Sequence, residues 1–169
     1  MGKVTVLGVG NIILSDEGLG VKALKLLQAN YEFIGDIELM DGGTLGIDLL
    51  YYLRDTEKLL ILDAVRGGKS AGTLYRFEGE AVKKYFSGKV SMHDLGIQEV
   101  LALMDMTDDS PSEVVVIGIE PEKLDIGTEL SRSVEENIPR LLKESINQIK
   151  KWGIRVKKRV VTSEEFLCS

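Results

Sequence analysis

The spacing of apolar positions along the chain changes several times, and the changes mark out alternating strands and helices. Residues 4–7, Val-Thr-Val-Leu, are a short β-branched run that breaks at Gly8 and Gly10, which predicts a buried parallel strand followed by a tight turn. Leu19, Ala23, Leu24, Leu26 and Leu27 then recur at helical spacing, so an amphipathic helix is expected to end near Asn30. A second strand is expected over 37–40 and stops at Asp41, Gly42, Gly43 and Thr44. The two glycines permit a sharp turn there, and Thr44 can cap a helix carrying Ile47, Leu50 and Leu53. The continuous apolar run 59–62 reads as a central parallel strand with Asp63 at its end.

The second half continues the alternation. Residues 65–72 contain Gly67-Gly68 and read as a mobile or exposed lid. Residues 73–77 alternate as an edge or antiparallel strand does, and a short helix is expected over 80–86. A polar turn, Ser91-Met92-His93-Asp94, precedes a helix bearing Leu95, Val100, Leu101 and Met104, and 114–119 is the last buried strand. A long helix is expected over 133–152, with Pro139 kinking it or marking its true first turn and Gly153 ending it. No solenoid repeat or low-complexity linker divides the chain. The expected fold is therefore α/β: a three-layer α/β/α sandwich around a twisted, mostly parallel sheet of about five strands with helices on both faces. One catalytic domain is expected over 1–153, with 154–169 as a C-terminal strand and partly disordered tail.

Composition narrows the class. With 169 residues and 44% hydrophobic content, the chain can build one core. A net charge of -6 and a pI near 5.0 argue against nucleic acid as a partner. The late basic run Arg155, Lys157, Lys158 and Arg159 reads as solvated surface. Cys168 is the sole cysteine, which excludes an intramolecular disulfide framework and a cysteine-based zinc cluster. No apolar run reaches the roughly 18 residues of a membrane span. The start of the chain lacks a secretory pattern, and Val6 breaks a myristoylation motif. A cytoplasmic monomer is expected.

Gly8-x-Gly10 after a strand suggests a dinucleotide loop, but Ile13 stands where the third glycine belongs, and Asp16 and Glu17 would repel bound phosphates. Either acid can cap the following helix, an effect of about 1 kcal/mol. No Gly-x-Ser-x-Gly elbow or phosphate-binding loop occurs, and Ser91 is ordinary capping material beside His93. What remains is carboxylates and one imidazole, since His93 is the only histidine. Glu17 follows the first strand, Asp63 ends the third and His93 precedes a helix, so all three can converge on the carboxyl edge of one sheet, with Asp41 on the same edge. Asp63 follows four buried apolar residues, where an isolated carboxylate costs several kcal/mol. It needs a partner, a proton or a metal. Glu17, Asp63 and His93 together would bind a borderline divalent ion such as zinc or nickel with positions open to substrate.

The blocks Gly8-Val9-Gly10-Asn11, 14–20, Asp41-Gly42-Gly43-Thr44, Leu62-Asp63-Ala64, 91–96 and Gly118-Ile119-Glu120-Pro121-Glu122 closely resemble, in order and spacing, the nickel-iron hydrogenase maturation endopeptidases. The resemblance covers about residues 4–149. It implies a protease that removes a C-terminal extension from the precursor of the hydrogenase large subunit after nickel insertion. It also implies that Glu17, Asp63 and His93 bind that substrate-borne nickel, with Asp63 or Glu17 taking a proton from water, or else an aspartic-type attack with nickel as a checkpoint. By the same resemblance Asp41, Gly42 and Gly43, with Asp16, are second-rank residues of the substrate cleft. Ala71 stands where members often carry proline, and the tail after Gly153 has no firm counterpart. The rival expectations are a peptidase or amidohydrolase with resident zinc and another substrate, a non-catalytic escort of the immature large subunit, and, third, a dinucleotide-binding module.

Overall fold

The computed structural model describes residues 2–42, 48–87, 102 and 108–160. His93, Gly43, Thr44, Ile47, the turn and helix expected over 91–104 apart from Ala102, and Cys168 lie outside the described residues.

The chain runs β1 (Lys3–Gly8), a 3-10 turn (Ser15–Gly18), α1 (Leu19–Asn30), β2 (Tyr31–Ile34), β3 (Ile37–Asp41), α2 (Leu49–Leu53), β4 (Thr56–Ala64), β5 (Leu74–Glu78), α3 (Glu80–Ser87), β6 (Glu113–Ile119), α4 (Arg132–Glu135), α5 (Ile138–Lys151) and β7 (Arg155–Lys158). Five strands form one sheet in the order β3-β1-β4-β6-β5; β3, β1, β4 and β6 are mutually parallel, and β5 runs antiparallel along β6. This is the mostly parallel sheet expected. Leu59 to Leu62 are fully buried because both faces of β4 are covered. Leu60 and Leu62 pack with residues of α1 and α5, such as Leu24 and Leu141, whereas Leu59 and Ile61 pack with Leu49 and Leu53 of α2 and Val82 and Phe86 of α3. Burial on two sides explains why the run is continuous rather than alternating.

Two details differ from the sequence expectation. The helix expected over 133–152 is two helices, and Pro139 sits in the first turn of α5, where its missing N–H breaks no helical bond. Gly153, at φ +92°, ends α5 as expected. Among the described residues after it, the expected C-terminal strand is β7, which pairs antiparallel with β2, a strand the apolar pattern does not announce, in a separate two-stranded sheet.

From β1 the chain passes through α1 to β3 on one side and later to β4 on the other. The order therefore reverses between β1 and β4, and parallel sheets bind ligands outside the carboxyl ends at such a point.

Candidate active site

Register places the acids relative to one another. Gly8 pairs with Asp41 on one side and Leu62 on the other, so Asp41, Gly8 and Leu62 form one row across three strands. Asp63 is one residue further along β4, opposite Gly118 of β6. Asp41 and Asp63 are thus two strands apart, about 10 Å, and the pleat assigns them to opposite faces of the sheet. Asp41 is exposed. Gly42 is buried, donates its N–H to Gly8 O at 2.8 Å, and leaves no room for a Cβ beside Leu7.

The loop after β1 folds back over the end of β4. Val9 N donates to Leu62 O at 2.9 Å, and a Cβ on Gly20 would lie 2.1 Å from that same oxygen and 2.5 Å from Val9 O. Gly10, at φ +123°, would put a Cβ 1.8 Å from Glu17 O. These glycines are here because backbone must meet backbone, not because a pyrophosphate approaches. The packing they allow sets Glu17, 6% exposed, at the β1–β4 switch point alongside the end of β4.

Asp63 is fully buried. Its Oδ1 accepts from Ala64 N at 2.8 Å and its Oδ2 from the Tyr85 hydroxyl at 3.2 Å. Tyr85 belongs to α3, where its ring stacks on Phe77 at 5.1 Å and meets Phe86 at 5.0 Å, so the hydroxyl is held by an aromatic cluster. The structure thus places Glu17 and Asp63 at one sheet edge, with His93 outside the described residues. Among the described residues no group of three or more His, Cys, Asp or Glu side chains could hold a metal ion.

Asp16 does not do what an acid at a helix start ordinarily does. Neither the 3-10 turn nor α1 has a side-chain cap. Asp16 is instead buried, and donors from residues 122–131 fill its carboxylate. Its Oδ2 accepts from Glu122 N and Lys123 N, both at 2.9 Å, and from Ser131 Oγ at 2.7 Å, while Oδ1 accepts from Ser131 N at 2.7 Å. Buried Glu120 plays a matching part at the end of β6: its Oε1 accepts from Gly67 N, Lys69 N and the Tyr75 hydroxyl at 3.0, 3.0 and 2.9 Å. Burial, and then the bond to Glu120, push the Tyr75 hydroxyl above its ordinary pKa. The expected lid over 65–72 is exposed at 66–71 but is tied down by Glu120. Tyr85, Ser131 and the role of Glu120 were missed in the sequence. Only Glu120 had a signal there, as an acid directly after a buried strand, the same position that drew attention to Asp63.

A cavity of about 830 Å³ opens at the opposite, amino edge, between Glu78 and Val82 on one side and Pro111, Glu113 and Val115 on the other. It lies away from the buried carboxylates Asp63 and Glu17.

The hydrogenase maturation protease family model matches residues 21–148. The chain belongs to that family. It is 38% identical over 152 residues to the hydrogenase expression/formation protein HoxM of Cupriavidus necator, covering 89% of this chain and 75% of the relative. To the hydrogenase 2 maturation protease of Escherichia coli it is 34% identical, covering 90% and 93%. The solved structure of the hydrogenase maturating endopeptidase HybD from E. coli superposes with a TM-score of 0.89 at 32% identity, covering 93% of this chain and 98% of that one. This hydrogenase maturation protease is a peptidase, and its α/β fold is that of its solved relative.

Proposed function

We propose that the protease removes the C-terminal extension of the nickel-iron hydrogenase large-subunit precursor after nickel insertion, and that Glu17, Asp63 and His93 read the nickel the precursor already holds. The observation that carries this is the placement of two buried carboxylates, Glu17 and Asp63, at the switch point of a parallel sheet in a hydrogenase maturation protease. A cation delivered by the substrate adds positive charge beside these two carboxylates only when the right substrate docks. The nickel is therefore substrate and checkpoint, not a resident cofactor.

Each side chain has a definite task. Tyr85 donates to Asp63 Oδ2 and leaves that carboxylate oriented to take a proton from the attacking water, while Glu17 meets the cation from the other side of the switch point. The bound ion supplies positive charge that polarises the scissile carbonyl or the water. Ile13, 55% exposed, and Ile126, 85% exposed, flank the Gly127 N to Ile13 O bond, and Ile12 adds a third exposed apolar side chain. That ridge beside the Glu17 turn suits a protein surface better than a small molecule. We assign the protease to the cytoplasm as a monomer; no helix among the described residues is long and apolar enough to cross a membrane.

The test is incubation of the protease and its Glu17→Gln, Asp63→Asn and His93→Ala variants with nickel-loaded and nickel-free precursor. Cleavage is expected only of the loaded form and falls by at least about 100-fold in each variant. Equal cleavage of both forms rejects the checkpoint. Stoichiometric zinc in the purified protein would favour a resident-zinc peptidase, and a stable complex with uncut precursor would favour an escort.

A further inference from the structure

We propose that residues 120–123 form a clasp that sets the position of Glu17 relative to Asp63, with Asp16 and Glu120 as its two positioning residues; this rests on the site assignment above.

One jaw is Asp16. All four groups that meet its carboxylate are donors: the amides of Glu122, Lys123 and Ser131 and the hydroxyl of Ser131. Its own N–H donates back to Lys123 O at 2.9 Å. A neutral amide side chain in this nest would turn its NH2 against at least one N–H, so the site calls for an anion. The turn beside it is held just as firmly. Ser15 sits at φ +50°, a conformation unusual for a non-glycine residue, with its N–H on Gly127 O and its Oγ on Asp125 O, each at 2.8 Å. Glu17 follows directly, and its N–H donates to Leu14 O at 3.1 Å.

The other jaw is Glu120. Its carboxylate takes Gly67 N, Lys69 N and the Tyr75 hydroxyl, its N–H donates to Thr73 O at 2.9 Å, and its carbonyl accepts from Gly72 N at 2.8 Å. Val65 N is bonded to Ile119 O at 3.0 Å. The segment leaving Asp63 is thus tied to residues 119–120 at five of its next ten positions.

The two jaws meet on one short segment, because the Glu122 and Lys123 amides that hold Asp16 directly follow Glu120 and Pro121. Glu120 and Lys123 are three peptide units apart, a reach of at most about 11 Å, and Pro121 between them has a fixed φ. A displacement of the Glu17 turn is therefore passed to the segment leaving Asp63 through a short, stiffened link. Near the reacting atoms a misplacement of about 1 Å lowers turnover by about 100-fold, so a coupling of this kind acts on kcat.

The experiment is a double-mutant cycle on cleavage of nickel-loaded precursor by full-length protease, using Asp16→Asn, Glu120→Gln and the double variant, with turnover referred to folded protein measured by near-UV dichroism. Each single variant is expected to lower kcat about tenfold with KM within about twofold, and the double variant to be little worse than either single one, because opening either jaw releases the same link. Multiplied losses of about 100-fold in the double variant would show two independent local effects and overturn the clasp. So would unchanged kcat in both single variants. Should either variant fail to fold, Ser131→Ala and Tyr75→Phe, which each remove one donor and keep the carboxylate, run the same cycle. Glu17→Gln and Asp63→Asn in the same assay keep the two proposals apart: if they cleave normally the site assignment fails, whereas if they are inactive and the cycle is additive only the clasp fails.

Discussion

At the amino ends of the strands, Glu113 is exposed and accepts from Lys58 Nζ at 2.7 Å and from Trp152 Nε1 at 3.0 Å, and Lys3 pairs with Glu38. At the carboxyl ends Asp16, Glu17, Asp63 and Glu120 are each less than a tenth exposed; backbone amides and the hydroxyls of Ser131 and Tyr75 meet Asp16 and Glu120, and Asp63 accepts from Ala64 N and the Tyr85 hydroxyl. The same residue types serve two ends. An exposed acid needs little help, because water solvates it and a lysine adds at most about 1 kcal/mol. A buried acid requires fixed dipoles, and removing them leaves a charge that costs several kcal/mol. Amides and hydroxyls hold a carboxylate in place without cancelling its charge, as they do at Asp16 and Glu120.

The largest break in this contrast is expected from the backbone packing that builds the carboxyl edge. Gly20→Ala drives a Cβ to 2.1 Å from Leu62 O and is expected to destabilise the protein by at least about 3 kcal/mol, read from the urea unfolding midpoint. A smaller shift with unchanged m-value would show that α1 can lift off β4 cheaply. Next comes Asp16→Ala, which strips four donors of one acceptor and is expected to cost about 3 kcal/mol by the same measurement.

Tyr75→Phe is expected to cost about 1 kcal/mol. It also changes the alkaline limb. Burial and the Glu120 bond raise the Tyr75 hydroxyl above its ordinary 10.0, so its contribution is complete below that pH and is lost as pH climbs through the folded value. The variant lacks that part of the fall in melting temperature. Smallest is Lys58→Ala at the amino edge, expected to cost less than about 1 kcal/mol and to shrink further in high salt. The Lys58 bond, then the Trp152 bond, hold Glu113 below its ordinary 4.5, so its contribution is present above that pH and fades as pH falls. A Lys58→Ala effect equal to that of Asp16→Ala would erase the contrast between the edges.

Strands buried on both faces declare themselves in sequence, and β1, β4 and β6 appear where their apolar runs stand. β2 does not, because Tyr31–Ile34 is half buried, short, and completed only by pairing with β7 more than 120 residues away. Asp63 could be singled out because it follows four buried apolar residues, and Glu17 only once it was set beside Asp63, His93 and the family resemblance. Tyr85 could not, since its hydroxyl reaches Asp63 only after α3 packs across the sheet face.

Asp16 and Glu17 show most directly where that boundary lies. Local chemistry alone determined that two adjacent acids follow a glycine turn after a buried strand, and with it the sheet edge on which they lie. It gave both the same default, a helix cap. The family resemblance singled out Glu17 as the candidate ligand, but that Asp16 is a buried anchor was decided by amides 106, 107 and 115 residues downstream, which close on it. Hydrogen bonds over that distance depend on which loops the sheet order brings together, and no local pattern of residues carries that order.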